Sequence, residues 1–407
     1  MGAALEKGGD VGPTSAFPDF QVWSLYLQTI VSMASVGVLI PVLGDLGATT
    51  GASEGSLGLA LALFSAPSAI LAGIGGSLID RIGYRPALIW GAVLAGLADG
   101  GVIFARSPLM LDLAMAAAGL GFTAVTIAAP AQIMRVTTGA AETRAMALWS
   151  TYPPAGLSLG LLLGSPFAGG ALWRWAIAGH LAVTLLALGL ALGLPRGRRV
   201  LPAQALKLGV GDLLTALGQI AVVRVSLAAG LASAMAYGVT LILPSYLSQV
   251  RRLPMAEASS LLALANLATI LGGIAAGYLM SLRLSVGALY GLVAALAGVA
   301  LCALFASSLG FGFALVALVL WLTAIGSCIA IAIAALPGVI VSEAHAAASW
   351  GLMSQVISIL SFLAPAVYFS ATAGGRWMAT IWLGGLGLAI SWVAMSAPRK
   401  TPTSVSL

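Results

Sequence analysis

Charge is scarce in this sequence. Asp, Glu, Lys and Arg make up 7% of its 407 residues, hydrophobic residues make up 60%, and the mean hydropathy is +1.07. Soluble domains carry roughly 25% charged residues, so a water-soluble fold is excluded. Cysteine is rarer still: Cys302 and Cys328 both lie inside apolar runs, which suggests neither a disulfide nor a metal site. The two histidines, His180 and His345, fall in different halves of the chain. Enzymes working within a membrane need a nucleophile–base pair or a metal-ligand cluster. No such grouping exists here, so neither catalysis nor a cofactor is expected. Residues 1–19 lack the basic stretch, short apolar core and cleavage site of a signal peptide, and read as a disordered cytoplasmic tail.

Long apolar runs, by contrast, are abundant. A bilayer core about 30 Å thick needs roughly 20 apolar residues per helix, and the chain offers about twelve such stretches. Backbone groups in lipid must be satisfied within the segment, so these stretches are helices. The spacing predicts helices over 20–43, 54–79, 86–105 and 108–134, a fifth that follows a short link carrying Arg135, Glu142 and Arg144 and runs to about Ser165, and a sixth over 172–194. Six more follow over 222–247, 256–281, 285–306, 311–335, 346–371 and 376–396. Two six-helix bundles, 20–195 and 222–397, are thus joined by a linker over 196–221, with a short tail over 398–407. Within the linker, Leu213, Leu214, Leu217 and Ile220 beside Lys207 and Asp212 read as an amphipathic helix lying along the membrane surface. The net charge of +6 does not point to nucleic acid: 13 of the 18 Lys and Arg lie on the side containing residues 80–85. That bias places the side, and both termini, in the cytoplasm.

The most distinctive stretch runs from Gly76 to Leu88, with Leu78, Asp80, Arg81, Gly83, Tyr84 and Arg85 between two apolar runs. Gly76 permits close helix approach, and Gly83 suits a turn position at positive φ. Asp80 is placed to meet the positive end of a neighbouring helix. Arg81 and Arg85 pin the turn to the cytoplasmic face. This Gly-x-Leu-x-Asp-Arg-x-Gly-x-Arg-x-x-Leu pattern resembles the loop between helices 2 and 3 of the major facilitator superfamily. Glu142-Thr143-Arg144 resembles the superfamily's cytoplasmic signature before helix 5, and Arg174-Trp175 and Arg376-Trp377 resemble its starts of helices 6 and 12. The resemblance implies an all-α membrane fold of twelve transmembrane helices in two parallel six-helix repeats. It also implies a secondary transporter working by alternating access, in a drug:proton-antiporter-like or metabolite-transporter-like branch, as a monomer in the bacterial inner membrane.

Internal spacing agrees with two repeats. Glu54 and Glu257 each precede an apolar run, 203 apart, while Glu142 and Glu343 are 201 apart and each lies seven residues before a tryptophan, Trp149 or Trp350. Gly169-Gly170 answers Gly374-Gly375. Parallel repeats place a solute near the midplane between them. Two departures from the family pattern stand out. In the second copy of the 76–88 motif, Gly277, Leu279 and Arg283 survive but Ser281 replaces the acid. The arginine that the family often embeds in helix 4 would fall at Met115. Gly160, Gly164, Pro166, Gly169 and Gly170 resemble the antiporter motif with one extra residue before the proline, although small residues at such spacings also serve close helix packing.

The resemblance implies that helices 1, 4, 7 and 10 line the cavity. Helical spacing then groups Gln28, Ser32 and Ser35 on helix 1, and Asp112, Met115, Gly119, Thr123 and Thr126 on helix 4. It groups Ser233, Tyr237 and Thr240 on helix 7, and Thr323 and Ser327 on helix 10. The expected solute contacts are Gln28, Ser32, Ser35, Met115, Thr123, Tyr237, Thr240 and Trp321, with Trp149 and Trp350 as further aromatic surface. Any single Ser or Thr in this set has an ordinary alternative, a bond to its own helix backbone. Charges inside a membrane are costly and mark function by default. Asp112, Asp99 and His180 are therefore the candidate proton-coupling residues, with a structural Asp99–His180 pair as the alternative. The second half has no midplane charge, so a neutral, singly charged or amphipathic organic solute fits. The cytoplasmic gate is expected from Gly76, Asp80, Arg81, Gly83, Arg85, Glu142 and Arg144. Direction stays open between metabolite import, drug or toxic-metabolite efflux, and uncoupled facilitation.

Overall fold

A computed structural model describes residues 20–71, 78–79, 82–195, 216–280, 285–340 and 346–396. Among them are fifteen α-helices and no strand. The first half holds α1 (Phe20–Gly37), α2 (Leu43–Thr50), α3 (Glu54–Leu71), α4 (Tyr84–Ile103), α5 (Pro108–Val136), α6 (Gly139–Trp149), α7 (Tyr152–Gly164) and α8 (Trp173–Gly193). The second holds α9 (Ile220–Arg251), α10 (Met255–Asn266), α11 (Ala268–Met280), α12 (Val286–Phe305), α13 (Phe311–Ala335), α14 (Ala346–Thr372) and α15 (Met378–Ser396). Eleven segments of the described chain are long and apolar enough to cross a membrane. The twelfth crossing is α6 with α7.

Three crossings expected as single helices are divided. The first continues past Leu43 to Thr50 through a 3₁₀ turn, Ile40–Val42, that contains Pro41. The fifth breaks at Ser150–Thr151, where Pro153 and Pro154 occupy the first turn of α7 and need no intrahelical donor. The eighth breaks at Leu267, between α10 and α11. The third helix begins at Tyr84, before Pro86, because Gly83 takes φ +99° and turns the chain into it. Most of the expected amphipathic linker, both tails, Ser281 and Arg283 lie outside the described residues.

Each half has two layers. In the first, α3, α5, α1 and α7 form a front layer, and α4 and α8 pack together behind it. In the second, α11, α13, α9 and α14 form the front, with α10 beside α9, while α12 and α15 lie behind. The halves meet where α3 packs on α14 and α7 packs on α10. This matches the 201–205-residue offsets: Glu54 and Glu257 both stand in the first turn of the helices, α3 and α10, that reach across to the other half.

Close packing follows from small residues. Gly156, Gly160 and Gly164 of α7 lie against the backbone of the first crossing at Ile30, Ala34 and Val38. Gly119 of α5 does the same at Phe64 of α3, and Gly272 of α11 at Thr323 of α13. Arginines close four helix ends. Arg85 donates to Leu192 O at the end of α8 (2.6 Å), and Arg174 to Ile103 O at the end of α4 (3.0 Å). Arg224 donates twice to Ala394 O of α15, and Arg251 reaches Ala306, Ser307 and Leu309 O beyond α12. Terminal carbonyls of a helix have no intrahelical donor and carry partial negative charge, so a cation there satisfies both needs.

Gly160→Ala would press a Cβ into the Ala34 carbonyl, whereas Gly179→Ala meets nothing within 4 Å. Overpacking of this kind costs about 1–3 kcal/mol. Thermal unfolding in detergent should show a lowered melting temperature for Gly160→Ala and none for Gly179→Ala.

Candidate functional site

The front layers face each other, and the first half presents aromatic rings there. Phe64 of α3 lies 4.9 Å from Phe122 of α5, which lies 6.2 Å from Tyr152 of α7, which lies 4.9 Å from Trp149 of α6. Two hydrogen bonds fix the belt to α1. Trp149 Nε1 donates to Thr29 Oγ1 (3.3 Å), and the Tyr26 and Thr151 hydroxyls share a 2.6 Å bond. Phe122, Trp149 and Tyr152 remain partly exposed. From the second half, the Tyr237 hydroxyl approaches Ser65 of α3 without reaching hydrogen-bond geometry. It is a buried donor awaiting a partner, at the seam between the halves.

Several other polar groups of the seam are paired. On the α7–α10 side, Ser158 Oγ donates to Ala263 O (2.7 Å), Asn266 Nδ2 to Pro154 O (3.0 Å), and Ser260 Oγ to Ser165 Oγ (2.9 Å). On the α3–α14 side, Gln355 donates to Ala69 O, and Gly58 lies against Phe369. The 3₁₀ turns at Ile40–Val42 and Ser165–Phe167 add contacts to α10, at the end of the molecule away from Gly83.

Several expected contacts point elsewhere. Gln28 and Ser32 do not face the second half: with Val31 they line a small chamber against Ala92, Ala95, Val125, Thr184 and Ala187, behind the front layer. Helical geometry explains the error. The glycines of α7 claim the side of α1 at Ile30, Met33, Ala34 and Gly37, which turns Gln28 and Ser32 inward. Ser35, on the same face as Gln28, is buried with its hydroxyl unpaired. Met115 is 1% exposed in the apolar core, and Thr123 bonds Ser68 of α3 (2.6 Å) and its own Gly119 O, so this stripe of α5 packs on α3. Thr240 bonds its own Ala236 O (2.7 Å). Trp321 is fully buried with its indole N–H unpaired, and Trp350 is 41% exposed. Phe122, Tyr152 and Thr29 were missed because their position shows only once the α1–α7 packing fixes which sides are free.

Asp99 and His180 do come together. His180 Nδ1 lies 2.9 Å from both Asp99 oxygens, and Nε2 lies 3.0 Å from Val31 O. Only a donor can face a carbonyl, so Nε2 carries a hydrogen. One further proton is then shared between Nδ1 and the carboxyl, and the pair is neutral as a whole. Thr184 Oγ1 donates to Asp99 Oδ2 at 3.4 Å. The pair joins the two back helices to α1. In the second half, Tyr290 of α12 and Ser391 of α15 pair instead, tying its back helices by a neutral bond. Asp112, near the start of α5, is half-buried with Oδ1 unpaired. Of the gate residues, Gly76, Asp80 and Arg81 lie outside the described residues. Gly83 makes the expected positive-φ turn, Arg85 caps α8, Glu142 is half-buried, and Arg144 is exposed.

A family model described as Major Facilitator Superfamily matches residues 25–365. The chain belongs to that superfamily. It is an integral membrane protein. The fold agrees with solved superfamily structures. An inward-facing bacterial homolog of the human lysosomal transporter Spinster aligns with a TM-score of 0.73 at 16% identity, over 94% of this chain and 98% of that one. A point mutant of the nucleoside transporter NupG aligns at 0.75 and 14% identity, over 92% and 99%. The inward-open xylose transporter XylE from E. coli aligns at 0.71 and 14%, over 94% and 97%. Among curated relatives, the multidrug resistance proteins MdtH of Aeromonas hydrophila subsp. hydrophila and Aeromonas salmonicida are each 29% identical over 144 residues. That alignment spans 35% of this chain and 36% of the relatives' length.

Removing one member of a buried ion pair leaves the other uncompensated, at about 3–5 kcal/mol. Asp99→Leu and His180→Leu should each lower the melting temperature sharply. The double variant should lie above either single one, and melting in one detergent checks the order.

Proposed function

We propose that this superfamily member carries a small organic solute with a substantial apolar or planar body and few hydrogen-bonding groups. The observation that carries this reading is the partly exposed aromatic belt of Phe122, Trp149 and Tyr152, with the unpaired Tyr237 hydroxyl at the same seam. Rings offer apolar area and stacking faces, and the phenol supplies one directional bond. Trp321, buried with its indole N–H unpaired, is the next polar group in line. The solute is neutral, singly charged or amphipathic. The protein acts as a monomer in a bacterial inner membrane, its six-helix units spanning 20–195 and 222–397 about the linker. The basic face and both termini are cytoplasmic, as the bias in Lys and Arg supports. With that orientation, the end drawn together by α10 and the two 3₁₀ turns is the outer one.

Efflux is the direction we favour. The similarity to multidrug resistance proteins, limited to about a third of each chain, supports it, as does the aromatic wall. Coupling to protons runs through Asp112, which keeps an unpaired oxygen near the end of the molecule opposite Gly83. Asp80 and Arg81, with Glu142 and Arg144, serve as the cytoplasmic gate.

Tyr237→Phe should weaken solute binding by about 0.5–1.5 kcal/mol, the worth of one neutral hydrogen bond. Phe122→Cys and Tyr237→Cys should react with thiol reagents in proteoliposomes and be protected by solute. If both stay unlabelled in every condition, the site lies elsewhere. For coupling, transport by Asp112→Asn should lose its dependence on an imposed pH gradient while downhill exchange persists. A mutant that still follows the gradient like the parent removes Asp112 from the mechanism. Asp80→Asn should slow turnover with expression intact, and normal transport by it counts against the gate.

A further inference from the structure

Behind the front layer of the first half sits a chamber of about 10 Å³, lined by Gln28, Val31 and Ser32 of α1, Ala92 and Ala95 of α4, Val125 of α5, and Thr184 and Ala187 of α8. Its size is that of one water-sized sphere. The small side chains of Ala92, Ala95 and Ala187 make the room. Gln28 is 2% exposed, and neither its Oε1 nor its Nε2 has a protein partner. Leaving a buried amide unmade is costly, and buried polar groups are almost always paired with protein or with ordered water. The chamber wall supplies a primary amide, the Ser32 hydroxyl and the Thr184 hydroxyl, within the two to four polar partners a buried water needs.

We propose that this chamber is a binding site for a single water molecule that bridges the Gln28 amide to Thr184. Thr184 Oγ1 uses its hydrogen toward Asp99 Oδ2, so its lone pairs are free to accept from the water. The Gln28 amide meets the water with its oxygen or its nitrogen, whichever way it is turned. A continuous hydrogen-bonded chain then runs from Gln28 through water, Thr184, Asp99 and His180 to the Val31 carbonyl. It begins and ends on α1, three residues apart, and passes through both back helices. The water thus completes a clasp that holds α1 against α4 and α8. Every member belongs to one half, so the clasp travels with that half and stays closed while the two halves move against each other.

Hydrated and dry chambers predict opposite outcomes for a shape-conserving change. Gln28→Met keeps the side chain's length and removes its polar atoms. With a bridging water, the variant strands the water and lowers the melting temperature. In a dry chamber it removes an orphaned amide and raises it, which would overturn the proposal. A structure of the parent protein, at a resolution that shows its other buried waters, should carry one peak between Gln28 and Thr184. An empty chamber there would equally refute the site, whatever the behaviour of the variant.

Discussion

A polar group inside hydrocarbon has no bulk solvent to fall back on, and its partner must come from the chain or from a molecule bound within it. That constraint makes every crossing helical, and then it acts on what helices leave over. Terminal carbonyls of α4, α8 and α15 meet Arg174, Arg85 and Arg224, and the carbonyls just beyond α12 meet Arg251. Serines and threonines turn to carbonyls of their own helix, as Thr29 and Thr240 do, or of a neighbour, as Ser327 does at Gly272. The Asp99–His180 pair obeys the same rule at higher stakes. Each would be intolerable alone, whereas together they are neutral and bonded on every side that faces protein.

Seen this way, the arginines have two roles that a charge count does not separate. Arg85 and Arg224 stand on the basic face and help to set topology, yet each is bonded to the last carbonyls of a back helix. Arg174 and Arg251 stand on the opposite face, against the topological bias, and do the same capping work. Their positions follow helix ends, which is why cations persist on the face that the bias disfavours. The back helices α4, α8, α12 and α15 are thereby fixed within their halves. Motion is left to the seam, where α3, α7, α10 and α14 meet through single side-chain bonds and small residues. Alternating access needs such a seam, since contacts there must break and re-form in each cycle.

Much of the fold was legible because hydrophobic length and turn chemistry are local. Glu54 and Glu257, the Gly169 and Gly374 turns at φ +75° and +69°, and Gly83 at +99° stand where spacing put them. Breaks in crossings one and five were less legible, although Pro41 and the Pro153-Pro154 pair are visible signs in retrospect. The site was read least well. Spacing put Gln28, Ser32 and Ser35 on one face of α1, but most of the residues of α1 are buried against neighbours. Which face looks at the solute path depends on the neighbours, and the neighbour here is α7 with its glycines at 156, 160 and 164.

Those glycines carry the argument one step further. They resemble an antiporter motif, and they let α7 approach α1 closely enough that Ile30, Ala34 and Val38 carbonyls touch it. A bulkier α7 would force α1 to rotate or withdraw. Either change would swing Thr29 and Tyr26 away from Trp149 and Thr151, undoing the belt, and would pull Val31 from His180. The same close contact therefore sets both the aromatic wall on one side of α1 and the polar clasp on the other. Polar residues on α1 are consequently sorted through packing, with Tyr26 and Thr29 holding the aromatic belt and Gln28 and Ser32 locked behind. A stripe of hydrogen-bonding side chains on a membrane helix is thus evidence for a partner, and the packing of small residues next to it decides whether that partner is solute or protein.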